Sequence, residues 1–261
     1  MLFIPVLVFI FGTIIGSFLN VVIYRINTGR SVAKGRSKCA ICSTTLHWQE
    51  LVPVFSFLAL GGKCKTCRTK ISFQYPVVEL LSGLLFTVLY IHILIPAWFS
   101  PLAWLEFCFV AALVSLALVI GAYDFRHKII PVVPMWITLA LSIVALGARL
   151  FLDHSFPIVE ALVAGPLVAA PFFLLWGISR GRWMGFGDVK LALALGWLFG
   201  IGSGFTVVLV SFWIGGLTGL FLLALSNRYS MQSQVPFAPF LLVAALVVYF
   251  WSLSLSSFLP L

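Results

Sequence analysis

The sequence predicts an all-α polytopic membrane protein, with about eight transmembrane helices and a small cytoplasmic loop domain between the first two. Three observations predict it. The 261 residues are 62% hydrophobic and only 9% charged, far more apolar than a soluble domain of that size. Apolar runs of roughly 20 residues, the length that crosses a bilayer, recur along the whole chain. Nine of the sixteen basic residues fall between Arg25 and Lys70, directly after one such run. The net charge of +9 therefore reads as positive-inside bias and not as a nucleic-acid footprint.

In chain order, spans are expected near 2–24, 77–95, 103–122, 132–152, 158–179, 189–201, 203–225 and 237–258. The first is expected to be a retained helix and not a signal peptide. It lacks a basic leading region, contains Pro5, and no small-residue cleavage site follows it. Domain boundaries follow as a first helix at 1–24, a loop domain at 25–76 and a membrane domain at 77–261. The loop, Arg126 with Lys128, Arg180, Arg182 and Lys190, and Arg228 then share one side, assigned to the cytoplasm, with both termini outside. Arg149 is the exception. The sixth span is short: 189–201 makes a helix of only about 20 Å against a hydrocarbon core of about 30 Å. Asp188 is therefore expected to be recessed below the surface. A re-entrant hairpin through Gly200, Gly202 and Gly204 is the alternative. No internal repeat or low-complexity tract is evident.

The loop carries Cys39-Ala-Ile-Cys42 and Cys64-Lys-Thr-Cys67, two Cys-x-x-Cys pairs separated by 21 residues. Each pair can offer two thiolates to one tetrahedral Zn²⁺, so Cys39, Cys42, Cys64 and Cys67 are the expected metal ligands. Stable disulfides do not suit a cytoplasmic loop. The segment is too short to build a core of its own, so metal binding would supply much of its folding free energy. Four sulfur ligands leave no open position for water, and the zinc role is structural. Nine basic residues against Glu50 give the loop a formal charge of +8, or +6 with four thiolates on one Zn²⁺. Anionic membrane lipids are the expected partner of that charge, at about 1 kcal/mol per residue near the surface. Cys108, alone in the third span, reads as a small packing residue.

Among the seven acids, Glu106, Asp153 and Glu160 fall toward outer helix ends and Glu50 lies in the loop. Glu79, at the start of the second span, is placed to line a site or to pair with a cation. Asp124 and Asp188 stand where apolar runs meet basic residues, and both belong to the cytoplasmic side. A charge at mid-bilayer costs about 2.5 to 3.5 kcal/mol, so such acids have a partner or a task. On spacing alone each reads as a solvated helix terminus, an ion pair with Arg126, Lys128 or Lys190, or half of an acid–base pair that activates water. A proton-coupled transporter relaying protons through the same carboxylates is the rival function.

Longer patterns carry a resemblance. Gly185-Phe-Gly-Asp188 followed by Val-Lys-Leu, with Asp124 upstream in D-x-x-x-x-x-I-P, resembles the type IV prepilin leader peptidase family. Gly16-Ser-Phe-Leu-Asn-Val-Val-Ile-Tyr-Arg25 is similar to that family's first-helix signature. The paired cysteines with Ile71-Ser72, then Tyr75-Pro-Val-Val-Glu79-Leu-Leu, resemble its zinc loop and the entry to its second span. One departure is Ala238 in Val235-Pro-Phe-Ala-Pro-Phe, where the family usually has glycine. The resemblance implies an aspartic endopeptidase with Asp124 and Asp188 as the catalytic pair. It further implies prepilin or pseudopilin substrates cut at the inner face of the bacterial cytoplasmic membrane. N-methylation of the new terminus from S-adenosylmethionine is implied by the resemblance alone.

Overall fold

Helix follows helix in the computed structural model, which describes residues 3–29, 31–32, 34–152, 157–225 and 235–254. Arg30, Asp153 and Arg228, used above for topology and acid placement, lie outside the described residues. The helices are α1 (Phe3–Arg25), α2 (Phe55–Ala59), α3 (Gln74–Leu89), α4 (Pro101–His127), α5 (Val132–Leu152), α6 (Ile158–Ser179), α7 (Phe186–Leu225) and α8 (Ala238–Trp251). A π-helical turn over Tyr90–Leu94 prolongs α3. Two compact units result, residues 1–122 and 123–261, with the boundary inside α4.

Six helices among the described residues are long and apolar enough to cross a membrane, which makes the chain a multi-pass membrane protein. The expected count was about eight. The difference lies in α7 and α8. The two spans expected at 189–201 and 203–225 form one continuous element, and α8 has 14 residues. Yet α7 is not straight, because Gly200 adopts φ 79°, ψ −175° and breaks the helical path. A Cβ on Gly204 would lie 3.5 Å from the Cα of Gly196. Eight residues apart in a straight helix they would be separated by about 12 Å, so the element folds back on itself. Residues 186–199 form a short arm of about 21 Å and 201–225 a long arm of about 37 Å. The left-handed backbone at Gly200 is the reason glycine is needed at that corner.

In the first unit α1 and α3 form a close antiparallel pair. A Cβ on Gly12 would meet the Cα of Gly83 at 2.8 Å, and one on Gly16 the Cα of Glu79 at 2.7 Å, so glycine is what allows the two backbones to touch. Toward the loop end, Asn20 donates to the carbonyl of Tyr75 at 3.1 Å, and Tyr24 stacks on Tyr75 with ring centroids 4.9 Å apart. In the second unit both arms of α7 rest on α6: Cβ atoms on Gly196 and Gly204 would reach Val168 at 3.0 and 2.8 Å. Cys108, expected as a packing residue, is exposed. An exposed thiol-bearing side chain on an apolar helix of this kind is compatible with lipid contact.

Candidate active site and metal centre

α4 extends five residues past its expected end at 122, so Asp124 sits in its last turn and not in a loop. The Asp124 carbonyl accepts the N–H of Lys128 at 2.7 Å, and Lys128 turns the chain out of the helix at φ 56°. Asp124 is 5% exposed. α7 begins three residues earlier than expected, which places Asp188 in its first turn, also buried. Gly185 precedes the helix, its carbonyl takes the N–H of Asp188 at 3.2 Å, and its own N–H donates to the Asp188 carboxyl. A carboxylate in the first helical turn meets the unpaired N–H groups and the positive end of the helix dipole. The second unit thus brings the two acids together: their carboxyls are close enough for the charge of Asp124 to act on Asp188.

Sequence reasoning noted Ala238 only as a departure. The structure gives its position a task, since the N–H of Ala238, the first residue of α8, donates to the Asp124 carboxyl. Its side chain is fully buried. Phe237, one residue earlier, meets Phe212 at 5.1 Å and Phe172 at 5.7 Å, which fixes where α8 starts. Gly187 is required by proximity and not by its dihedral angles, because a Cβ there would lie 3.0 Å from the Cβ of Ile130. The Lys190 ammonium lies over the rings of Trp136 and Phe186, 5.0 and 5.3 Å from their centroids. That contact explains its tolerance beside an apolar span. Glu79, expected to line a site or to pair with a cation, has a backbone partner and a hydroxyl partner in the first unit. Its buried carboxylate accepts the N–H of Val54 at 2.7 Å and a hydrogen bond from Ser17. Glu106 and Glu160 are exposed.

The four cysteine sulfurs lie within 4.8 Å of one another and none is in a disulfide. Cys39 Sγ and Cys67 Sγ are 3.8 Å apart. Four sulfurs at about 2.3 Å from a tetrahedral Zn²⁺ would be separated by about 3.8 Å, so the donor set fits that ion. The two halves of the cluster are built alike. Cys39 N–H bonds to Thr44 O at 3.0 Å and Cys64 N–H to Thr69 O at 2.9 Å; Ser43 and Arg68 both take φ 58°. Antiparallel bridges, Lys38 with Thr45 and Lys63 with Lys70, close each knuckle. This is a short internal repeat, K-C-x-x-C-x-T at 38–44 and 63–69, which was visible in the sequence and was overlooked there. Threonine is part of the chemistry. Hydrogen bonds from the Thr69 hydroxyl and backbone hold the Cys67 thiol down at about 6, and Thr44 lowers that of Cys42, favouring the thiolate that binds metal.

Residues 10–93 match the bacterial peptidase A24 N-terminal domain and 111–220 the type IV leader peptidase family. The four cysteines lie in the first match and both aspartates in the second. The chain is 32% identical over 256 residues to the prepilin leader peptidase/N-methyltransferase of Bacillus subtilis (strain 168), covering 97% of this chain and 96% of that one. The chain belongs to the type IV leader peptidase family. The protein of the same name from Aeromonas salmonicida (strain A449) is 31% identical, with 96% of this chain and 91% of that one covered. No solved structure matches. Membership gives the transporter reading no support.

Proposed function

We infer that this chain is an aspartic endopeptidase that removes the basic leader of type IV prepilins and pseudopilins and then N-methylates the new terminus. What supports the proteolytic step is that the Asp124 and Asp188 carboxyls lie within reach of each other's charge, each beside a helix N-terminus. Two adjacent carboxyls titrate as a unit and hold one proton between them. The ionised member takes a proton from a water held between them, and that water attacks the scissile carbonyl carbon. The protonated member hydrogen-bonds the carbonyl oxygen as charge develops on it, and a proton returned to the leaving nitrogen completes cleavage. No acyl-enzyme forms. Ala238 N–H and Gly185 N–H orient the two carboxyls.

Cys39, Cys42, Cys64 and Cys67 would hold a Zn²⁺ with a structural role, since four sulfur ligands would fill all positions of a tetrahedral ion. S-adenosylmethionine would supply the methyl group, a reading supported by the names of the relatives. The loop's basic residues face the anionic lipids of the bacterial cytoplasmic membrane, with cleavage on that membrane's inner face. The organisation is a helix at 1–24, a zinc loop domain at 25–76 and a membrane peptidase domain at 77–261. Its eight apolar segments are α1, α3 to α6, the two arms of α7, and α8. Mass spectrometry of a prepilin co-expressed with the protein tests the reading. It should show the shortened, N-methylated product, and an uncut prepilin would refute it.

A further inference from the structure

The loop domain presents large apolar side chains that nothing in its own fold covers. Phe55 and Leu58, one turn apart on α2, are 68% and 69% exposed, and Trp48, in the short turn before them, is 74% exposed. On the other side of α2, Phe57 packs against Phe73 with ring centroids 5.3 Å apart. A Cβ on Gly62 would also reach the Phe57 ring at 3.0 Å. The helix therefore has an inner face turned to its domain and an outer face of bare hydrocarbon.

The height of α2 along the α1–α3 pair gives that outer face its environment. The Tyr24–Tyr75 stack marks the level at which α1 ends and α3 begins, as expected of an aromatic belt at a membrane surface. α2 starts deeper. The residue before it, Val54, gives its N–H to Glu79, four residues beyond Tyr75 and so about 6 Å further along α3. Glu79 also takes a hydrogen bond from Ser17, seven residues before Tyr24 and about 10 Å from the stack along α1. At this level α3 exposes Val77, Leu80 and Leu81. A backbone N–H in such surroundings needs a protein acceptor because water is scarce, and the buried Glu79 carboxylate is that acceptor. Val54 is held at φ 61°, unusual for a β-branched residue, where it makes this bond.

We propose that α2 is an interfacial anchor: the loop domain inserts Phe55 and Leu58, with Trp48 beside them, at the headgroup–acyl boundary of the membrane crossed by α1 and α3. The depth agrees with the 5–10 Å at which apolar faces of interfacial helices lie. Basic residues at Lys63, Lys65, Arg68 and Lys70 supply the complementary charge for an anionic surface. The inference rests on the membrane reading of α1 and α3 and not on the peptidase assignment.

The test is photo-crosslinking of the full-length protein in bacterial membranes, with p-benzoylphenylalanine at position 55 or 58 and, as the control among the basic residues at headgroup level, at Lys65. Lipid adducts should be about tenfold more abundant at 55 and 58 than at 65. Adducts to polypeptide in place of lipid, or lipid adducts no higher than the control, would overturn the proposal. A second variant, Phe55→Asp with Leu58→Asp, should free the loop so that trypsin cuts at Lys63 and Lys65 at least tenfold faster in inside-out vesicles. An unchanged rate would count against the anchor. Neither readout involves prepilin cleavage, so the anchor and the peptidase assignment fail independently.

Discussion

Replacing Gly187 by alanine would test whether the turn before Asp188 is set by its contact with Ile130. The added Cβ would lie 3.0, 3.1 and 3.3 Å from the Cβ, Cδ1 and Cγ1 of Ile130, so something must move by a few tenths of an ångström. Overpacking of this kind costs about 1–3 kcal/mol. Gly187 adjoins Asp188 at the start of α7, and a shift there is passed to the carboxyl. If half of the cost falls on the geometry of the pair, prepilin cleavage should slow by about two- to tenfold, since each 1.4 kcal/mol is a factor of ten. Shortening the opposing side chain, in Ile130→Ala, removes the atoms that collide. The double variant Gly187→Ala/Ile130→Ala should then recover most of what Gly187→Ala loses, a coupling expected of residues in contact. The assay is the initial rate of leader removal from a purified prepilin by protein in nanodiscs, with wild type and the three variants compared. A Gly187→Ala protein at wild-type rate, or a double variant no faster than Gly187→Ala alone, would refute the reasoning.

The remaining predictions concern the loop and the outer acids. Purified protein should carry one zinc per chain by elemental analysis, and Cys39→Ser or Cys64→Ser should lower it, with cleavage reduced but not abolished. Zinc uptake by metal-free protein should weaken as the pH falls, first where the raised Cys39 thiol gains its proton and last through about 6, where Cys67 gains its own; the lowered Cys67 thiol favours uptake above that pH and loses the advantage below it. Glu79→Gln leaves the Val54 N–H a weaker, neutral acceptor, and at about 1–2 kcal/mol should open the loop to trypsin several-fold faster. Glu106→Gln and Glu160→Gln, both at exposed positions, should cleave prepilin within twofold of wild type.

Hydropathy located the helices because a bilayer imposes one length on every span, and 132–152 and 158–179 agree with α5 and α6 residue for residue. Helix ends were harder to read. α4 and α7 continue into charged residues because Asp124 and Asp188 find backbone donors there, at Ala238 and at Gly185, and such partners are distant in sequence or depend on the turn's geometry. The corner at Gly200 was legible as a short span followed by clustered glycines. The break in φ explains why the two spans meet as arms of one element. The cysteine spacing announced a metal site, while the threonines that favour its thiolates stood in a repeat too short to attract notice. The hydrogen bond that Glu79 accepts was not legible because its donor is a backbone N–H, which has no signature in a sequence.

The catalytic pair itself is tested by Asp124→Asn and Asp188→Asn, alone and together. Asn is nearly isosteric with Asp but neither takes a proton from water nor gives one up. Leader removal from purified prepilin, followed by mass spectrometry, should fall below detection in each single variant, with the protein still inserted and loaded with zinc. Because the carboxyls act as a unit, the double variant should lose little more than either single one. Methylation of a synthetic, already shortened substrate should persist in all three. Cleavage at the wild-type rate by either single variant would contradict the account.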